Sequence, residues 1–187
     1  MKNSKQIVSL IILLVLGAAT LTGTSSFMSL RKATKSVPTT STLKTDARFL
    51  AQAAEINLEE IQMGQLAQKK SVSTDVKELG SMMEKAHTQS LSELTTLANK
   101  KGITLPTSLT EDGREEFKEL NNKSAKRFNE EYCEATIKDH KKAIELFEEA
   151  SEDAMDSEIK AWALATLPVL KMHLANAKAC KEKCEKM

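Results

Sequence analysis

Apolar residues recur at steps of three and four along four separate stretches of the chain, the spacing that gathers them on one face of an α-helix. From Thr45-Asp46 to about Lys70 the stripe reads Phe49, Ala53, Ile56, Glu60, Met63, Ala67. From Ser73-Thr74-Asp75 to Lys101-Gly102 it reads Val76, Leu79, Met83, His87, Leu91, Leu94, Ala98. A third stretch, Ser124 to Glu152, carries Cys133, Ile137, His140, Ile144 and Phe147. The fourth runs from Asp156-Ser157 to the C-terminus with Ile159, Ala163, Thr166, Leu170, His173, Ala177, Cys180 and Cys184. Ser, Thr and Asp stand where each helix should begin, because their side-chain oxygens accept the otherwise unpaired first amides. Gly102 stands where a left-handed residue would close the second helix. Between the second and third helices, Gly102 to Lys123 is polar, contains Pro106, and predicts only a short helix from Thr110 to Leu120.

Four long helices with one apolar stripe each bury those stripes most simply as an all-α four-helix bundle. Short links make the first and second helices, and the third and fourth, antiparallel neighbours. The long link between second and third fits a ferritin-like bundle with one crossover.

Each stripe is broken near its middle by a polar residue: Glu60, His87, His140 and His173. Those three histidines are all that the chain contains. Helices packed in register would bring the four groups to one depth, where a carboxylate and three imidazoles suit one divalent transition metal such as zinc, iron, manganese or copper. Glu84, three residues before His87, and Asp139, beside His140, are the candidate supporting acids. A di-iron carboxylate centre needs a second Glu-x-x-His pair, and Leu170 occupies the matching place before His173. The other reading is a metal-free core in which Glu60, Asp139 or backbone groups hydrogen-bond the imidazoles. Pro168 removes an amide donor and frees the carbonyl of Leu164, so a kink is expected there. That kink would either turn the carbonyl to the centre or wrap the helix around the core.

Cys133 lies seven residues before His140 and Cys180 seven after His173, which puts both at the same end of antiparallel helices. A Cys133–Cys180 disulfide is expected in an oxidising compartment, with Cys184 as substitute or spare thiol. Alternatively the three sulfurs hold a soft metal, although no fourth ligand is evident.

Composition narrows the function classes. Three prolines and six glycines in 187 residues leave helix-forming material, and 4% aromatics mean an aliphatic core. The net charge is +1, and removing Lys2 and Lys5 gives 1 − 2 = −1. With Lys and Glu interspersed there is no basic face, so nucleic acid is not an expected partner. Met1 to Lys5 followed by the apolar run Ile7 to Leu21 predicts a signal peptide over residues 1–26. Because Gln6 to Leu30 carries no charge, an uncleaved membrane anchor is the alternative. Residues 27–44, rich in Ser, Thr and Lys, read as a flexible linker to a bundle domain over 45–187. Export to the periplasm or cell envelope is expected, with membrane contact only through an uncleaved N-terminal segment. No Ser-His-Asp, P-loop or Gly-rich nucleotide motif occurs. The expectation is a non-catalytic bundle that binds a divalent metal or small ligand at its centre, or else a structural or interaction protein of the envelope.

The blocks EIQMGQLA (Glu60 to Ala67), VKELGSMMEKAH (Val76 to His87), KDHKKAIELFE (Lys138 to Glu148) and LPVLKMHLANA (Leu167 to Ala177) resemble, in order and spacing, those of the bacterial domain-of-unknown-function family 4142. The resemblance covers roughly Thr45 to Ala179 and implies export and a ferritin-like fold, with no established reaction. One position departs from it: Ala86 stands before His87 where the family usually has an acid, whereas Asp139 keeps that acid before His140.

Overall fold

In the computed structural model the described residues are 40–186, with side chains from Thr45 onward. The expected signal peptide or anchor over 1–26, and all of the linker but its last five residues, lie outside them. Those last residues are helical: α1 spans Thr40–Lys70 and so starts five residues before the expected cap. Asp46 therefore lies inside the helix and serves another corner of the bundle. Its buried carboxylate accepts the amides of Met155 (3.1 Å) and Asp156 (2.9 Å), far along the chain, instead of capping its own helix.

The remaining helices are α2 (Thr74–Lys101), α3 (Glu111–Asn121), α4 (Ala125–Asp153) and α5 (Ser157–Cys184). Their ends follow local chemistry. Ser73, Thr110 and Asp156 accept amides of the first turns of α2, α3 and α5. Gly102, at φ 67°, closes α2, and Ile103 N–H reaches back to the Ala98 carbonyl at 2.9 Å. At the same corner Lys101 pairs with Asp156 (2.6 Å) and Glu158 (2.5 Å), so cations at the end of α2 meet anions at the start of α5.

The described chain is all-α, a helical bundle. α1 packs chiefly on α2 and α4 on α5, while α1 also meets α4 and α2 meets α5. Two apolar cores occupy its two ends. One joins Phe49 and Leu50 of α1 to Leu94 of α2, Phe147 of α4 and Ile159 of α5. The other joins Met63 and Leu66 of α1 to Val76 and Met83 of α2, Leu120 of α3, Phe128 and Tyr132 of α4, and Cys180 of α5. The order in which each helix passes the two cores fixes its direction. α1 and α2 are antiparallel, α4 and α5 are antiparallel, and α2 and α4 run the same way. That last relation is why the chain needs the long segment holding α3 to return along the bundle.

Where α1 crosses α2, Gly64 and Gly80 face each other. A Cβ on Gly64 would lie 2.6 Å from the Gly80 carbonyl oxygen, and one on Gly80 2.7 Å from that of Gly64. Only hydrogen fits at both places. Pro168 sits inside α5, which continues through it as one helix. Pro168 and Leu164 both lie on the exposed side of that helix, so water can serve the carbonyl that proline leaves unpaired. Among the described residues no helix is long and apolar enough to cross a membrane.

Candidate metal centre

Between the two apolar cores lies a polar layer, to which each long helix contributes. Asn57 and Glu60 come from α1, His87 from α2, Thr136 and His140 from α4, and His173 from α5; all are buried. The apolar stripes to either side fix the depth of each helix, and this brings one polar residue per stripe to the same level. The three imidazoles converge. One ligand nitrogen from each of His87, His140 and His173 lies within 4.8 Å of the others, and the ring centroids are 5.3 to 5.5 Å apart.

The hydrogen bonds around these rings decide which nitrogens carry protons. Asn57 donates its amide to the Ala53 carbonyl (2.8 Å), which leaves its oxygen to accept from His87 Nδ1 (2.9 Å). His140 Nδ1 faces two acceptors, the Thr136 carbonyl at 2.9 Å and Glu60 Oε1 at 3.2 Å, so it must carry a proton. In the neutral ring His140 Nε2 is then an acceptor for His173 Nδ1, 3.3 Å away. This arrangement leaves Glu60 Oε2, His87 Nε2 and His173 Nε2 buried with no hydrogen-bond partner. With His140 neutral all three are acceptors. The Tyr132 hydroxyl, two turns before His140 on α4, is a fourth buried group without a partner and the one uncommitted donor there besides the ring N–H groups. Buried lone pairs in excess of donors are electrostatically suited to a cation.

Charge states follow from the same surroundings. Burial pushes His87 and His173 down to about 4, so both are neutral near pH 7 and need lose no proton to bind a metal. Burial also acts against charge on His140, but the hydrogen bond and charge of Glu60, with smaller help from the Thr136 carbonyl and Asp139, raise it above the ordinary histidine value. For Glu60 desolvation is the largest single influence and opposes ionisation. The hydrogen bond from His140 and the neighbouring imidazoles outweigh it and hold the carboxyl below its usual range.

The four expected residues are thus together, but in unequal positions. Glu60 meets His140 on Nδ1, behind the ring, and is not one of the three mutually close ligand groups. It stands where an orienting carboxylate stands in a metal–histidine–carboxylate arrangement. Glu84 is elsewhere: its two oxygens accept from Gln65 (2.8 Å) and Gln68 (2.6 Å) of α1, which offered better-placed donors than any imidazole. Asp139 lines a cleft of about 300 Å³ with Glu59, Lys142 and Thr110, and this cleft reaches Glu60 from solvent. There Glu59 is pushed up to about 7, by burial first and then by the charges of Asp139, Glu116 and Glu60. Asp139 is raised as well, by burial and by Glu116. The sequence reading missed Asn57, Thr136 and Glu59. Asn57 falls four residues from Ala53 and three from Glu60, on the inward face, and that spacing was the available signal.

A second cluster sits in the other core, nearer the Cys184 end of α5. Cys133, Cys180 and Cys184 are buried free thiols whose sulfurs all lie within 4.8 Å of one another. Cys133 donates to Cys180 at 3.3 Å, and this bond raises Cys133 and lowers Cys180 relative to an ordinary thiol. The pair expected to form a disulfide is therefore adjacent, its sulfurs 3.3 Å apart.

The family model described as "Domain of unknown function (DUF4142)" matches residues 31–180 of the chain. No curated protein and no solved structure matches it.

Proposed function

The chain belongs to the domain-of-unknown-function family DUF4142, and from that premise we propose that it is a non-catalytic binding protein holding one divalent transition metal between His87, His140 and His173. The supporting observation is the set of buried atoms without partners, Glu60 Oε2, His87 Nε2 and His173 Nε2, beside His87 and His140, whose Nδ1–H groups are already committed to Asn57 and to Thr136 and Glu60. Ligating histidines need such a partner to fix the tautomer and point the other nitrogen inward. Size favours an ion over an organic ligand, since the three ligand nitrogens lie within 4.8 Å of one another.

In this reading the neutral rings of His87 and His173 bind directly, and His140 gives up a proton if it carries two. Glu60 holds His140 in place and offsets part of the metal's charge. With Glu60 the one carboxylate in the polar layer among the described residues there is little to bridge two irons, which favours binding over oxidase chemistry. The reading includes a ferritin-like arrangement of the bundle, which the parallel α2 and α4 support. It also includes export of domain 45–187 to the periplasm or envelope behind a signal peptide or anchor, supported by the N-terminal charge and apolar pattern. Metal content of untagged protein purified without chelator, followed by cobalt(II) titration read through its visible bands, tests the centre. One equivalent of metal, lost in His87→Ala, is expected. A chain that takes up no cobalt, or takes it up equally without His87, returns the centre to a hydrogen-bonded core of an envelope structural protein.

A further inference from the structure

The three cysteines form a site separate from the histidine centre. Cys133 and His140 are seven residues apart on α4, and so are His173 and Cys180 on α5. At about 1.5 Å per residue the sulfurs stand roughly 10 Å along the bundle from the imidazoles. We propose that Cys133, Cys180 and Cys184 bind one monovalent copper ion through three sulfurs.

Three observations carry this. The sulfurs are mutually within 4.8 Å, close enough for one ion to touch all three after small rotations about the side-chain bonds. They come from two adjacent helices, with Cys180 and Cys184 one turn apart on the same face of α5, so the triangle is held by helix packing and not by a loop. The group also has sulfur donors and no imidazole or carboxylate at that distance among the described residues. Thiolates suit Cu(I), zinc and iron–sulfur clusters alike. Structural zinc sites, however, take four protein ligands in a tetrahedron and iron–sulfur clusters are held by four cysteines, so three sulfurs with no fourth ligand among the described residues fit Cu(I). As the ion enters, each S–H bond is replaced by an S–Cu bond, three protons leave to solvent, and copper stays monovalent.

Copper also has a way in. Cys184 lines a groove of about 380 Å³ with Val72, Ser73, Lys126 and Asn129 at the bundle end. An incoming ion would meet Cys184 first and pass inward to Cys180 and Cys133, which do not line that groove. A disulfide between Cys133 and Cys180 would remove two of the three donors, so the copper site and the disulfide exclude one another.

The test uses the whole chain, reduced and kept anaerobic, titrated with Cu(I) against the chromogenic chelator bicinchoninate. One copper per chain should be withheld from the chelator, and X-ray absorption should report sulfur neighbours only. Cys184→Ser, near the end of α5, and Cys133→Ser, in the core, should each weaken retention by roughly tenfold or more, with helicity checked by circular dichroism. His87→Ala should retain its copper fully, which separates this site from the histidine centre whatever that centre binds. Complete transfer of copper to the chelator would overturn the proposal. So would retention unchanged in Cys184→Ser, or nitrogen neighbours that vanish with His87→Ala.

Discussion

His87 illustrates how one residue's neighbours set its chemistry. Buried imidazole is tolerated because Asn57 accepts its Nδ1–H, and Asn57 can do so because its own amide is tied to Ala53. Asn57→Leu would leave that N–H buried without an acceptor, at a cost of about 1–3 kcal/mol. The same change frees the ring to turn, and metal affinity should fall roughly 10–100-fold. Urea unfolding and cobalt titration of the variant check the two effects separately. The titration behaviour of the layer gives a second expectation for the metal-free protein. His87 and His173 are held down to about 4 from an ordinary 6.5, so as pH falls below 6.5 the unfolded chain takes up protons first and stability drops until about pH 4. Each ring accounts for on the order of 3 kcal/mol across that window. Glu60, with its pKa lowered, adds to the loss as pH falls through its folded value, below the 4.5 of a free carboxyl. His140 works in the opposite sense. Its pKa is raised, so its contribution is full below 6.5 and is lost as pH rises through its folded value. The urea midpoint should therefore decline on acidification from pH 7 to 5, and His87→Gln should flatten that decline. A midpoint unchanged over this range would contradict the burial of neutral rings.

Among the elements, the contact of α1 with α2 depends on two missing side chains. Gly64→Ala would bring a methyl to 2.6 Å from a backbone oxygen, which no rotamer change relieves, so the helices must separate. The expected cost is about 1–3 kcal/mol, visible as a lower urea midpoint. Because Glu84 is held by Gln65 and Gln68 across this same contact, the Gly64 variant should also loosen that carboxylate. A different constraint joins α1 to the α4–α5 corner, where Asp46 accepts two amides. Asp46→Ala leaves both without that acceptor, and amide hydrogen exchange at Met155 and Asp156 should speed up while exchange in the middle of α2 stays slow.

For the molecule as a whole, an ion bound only by the folded bundle adds stability by mass action. At a free metal concentration a hundredfold above Kd the gain is about 2.7 kcal/mol, or roughly 5–10 °C in Tm for a domain of this size. Heating the protein with cobalt and then with excess EDTA should show that shift appear and disappear. A Tm indifferent to both would favour the dry-core reading.

Most of the fold was legible because apolar residues at a period near 3.6 leave a readable record of which face is buried. The caps at Ser73, Thr110 and Asp156, the glycine turn at Gly102 and the short helix in the crossover all depend on neighbours within a few residues, and the sequence sufficed for them. The three histidines and Glu60 were legible as inward residues for the same reason. Their roles were not. That Glu60 stands behind His140, that Glu84 turns to two glutamines of α1, and that Asp46 serves the far corner instead of its own helix were decided by where four separate segments came to rest. A single chain order cannot express such contacts, since periodicity records the direction of a side chain from its helix axis and nothing about the partner it meets across the interface. Local spacing determined the helices and their buried faces, and only the packing of one helix against another decided which buried polar atoms found partners and which were left without one.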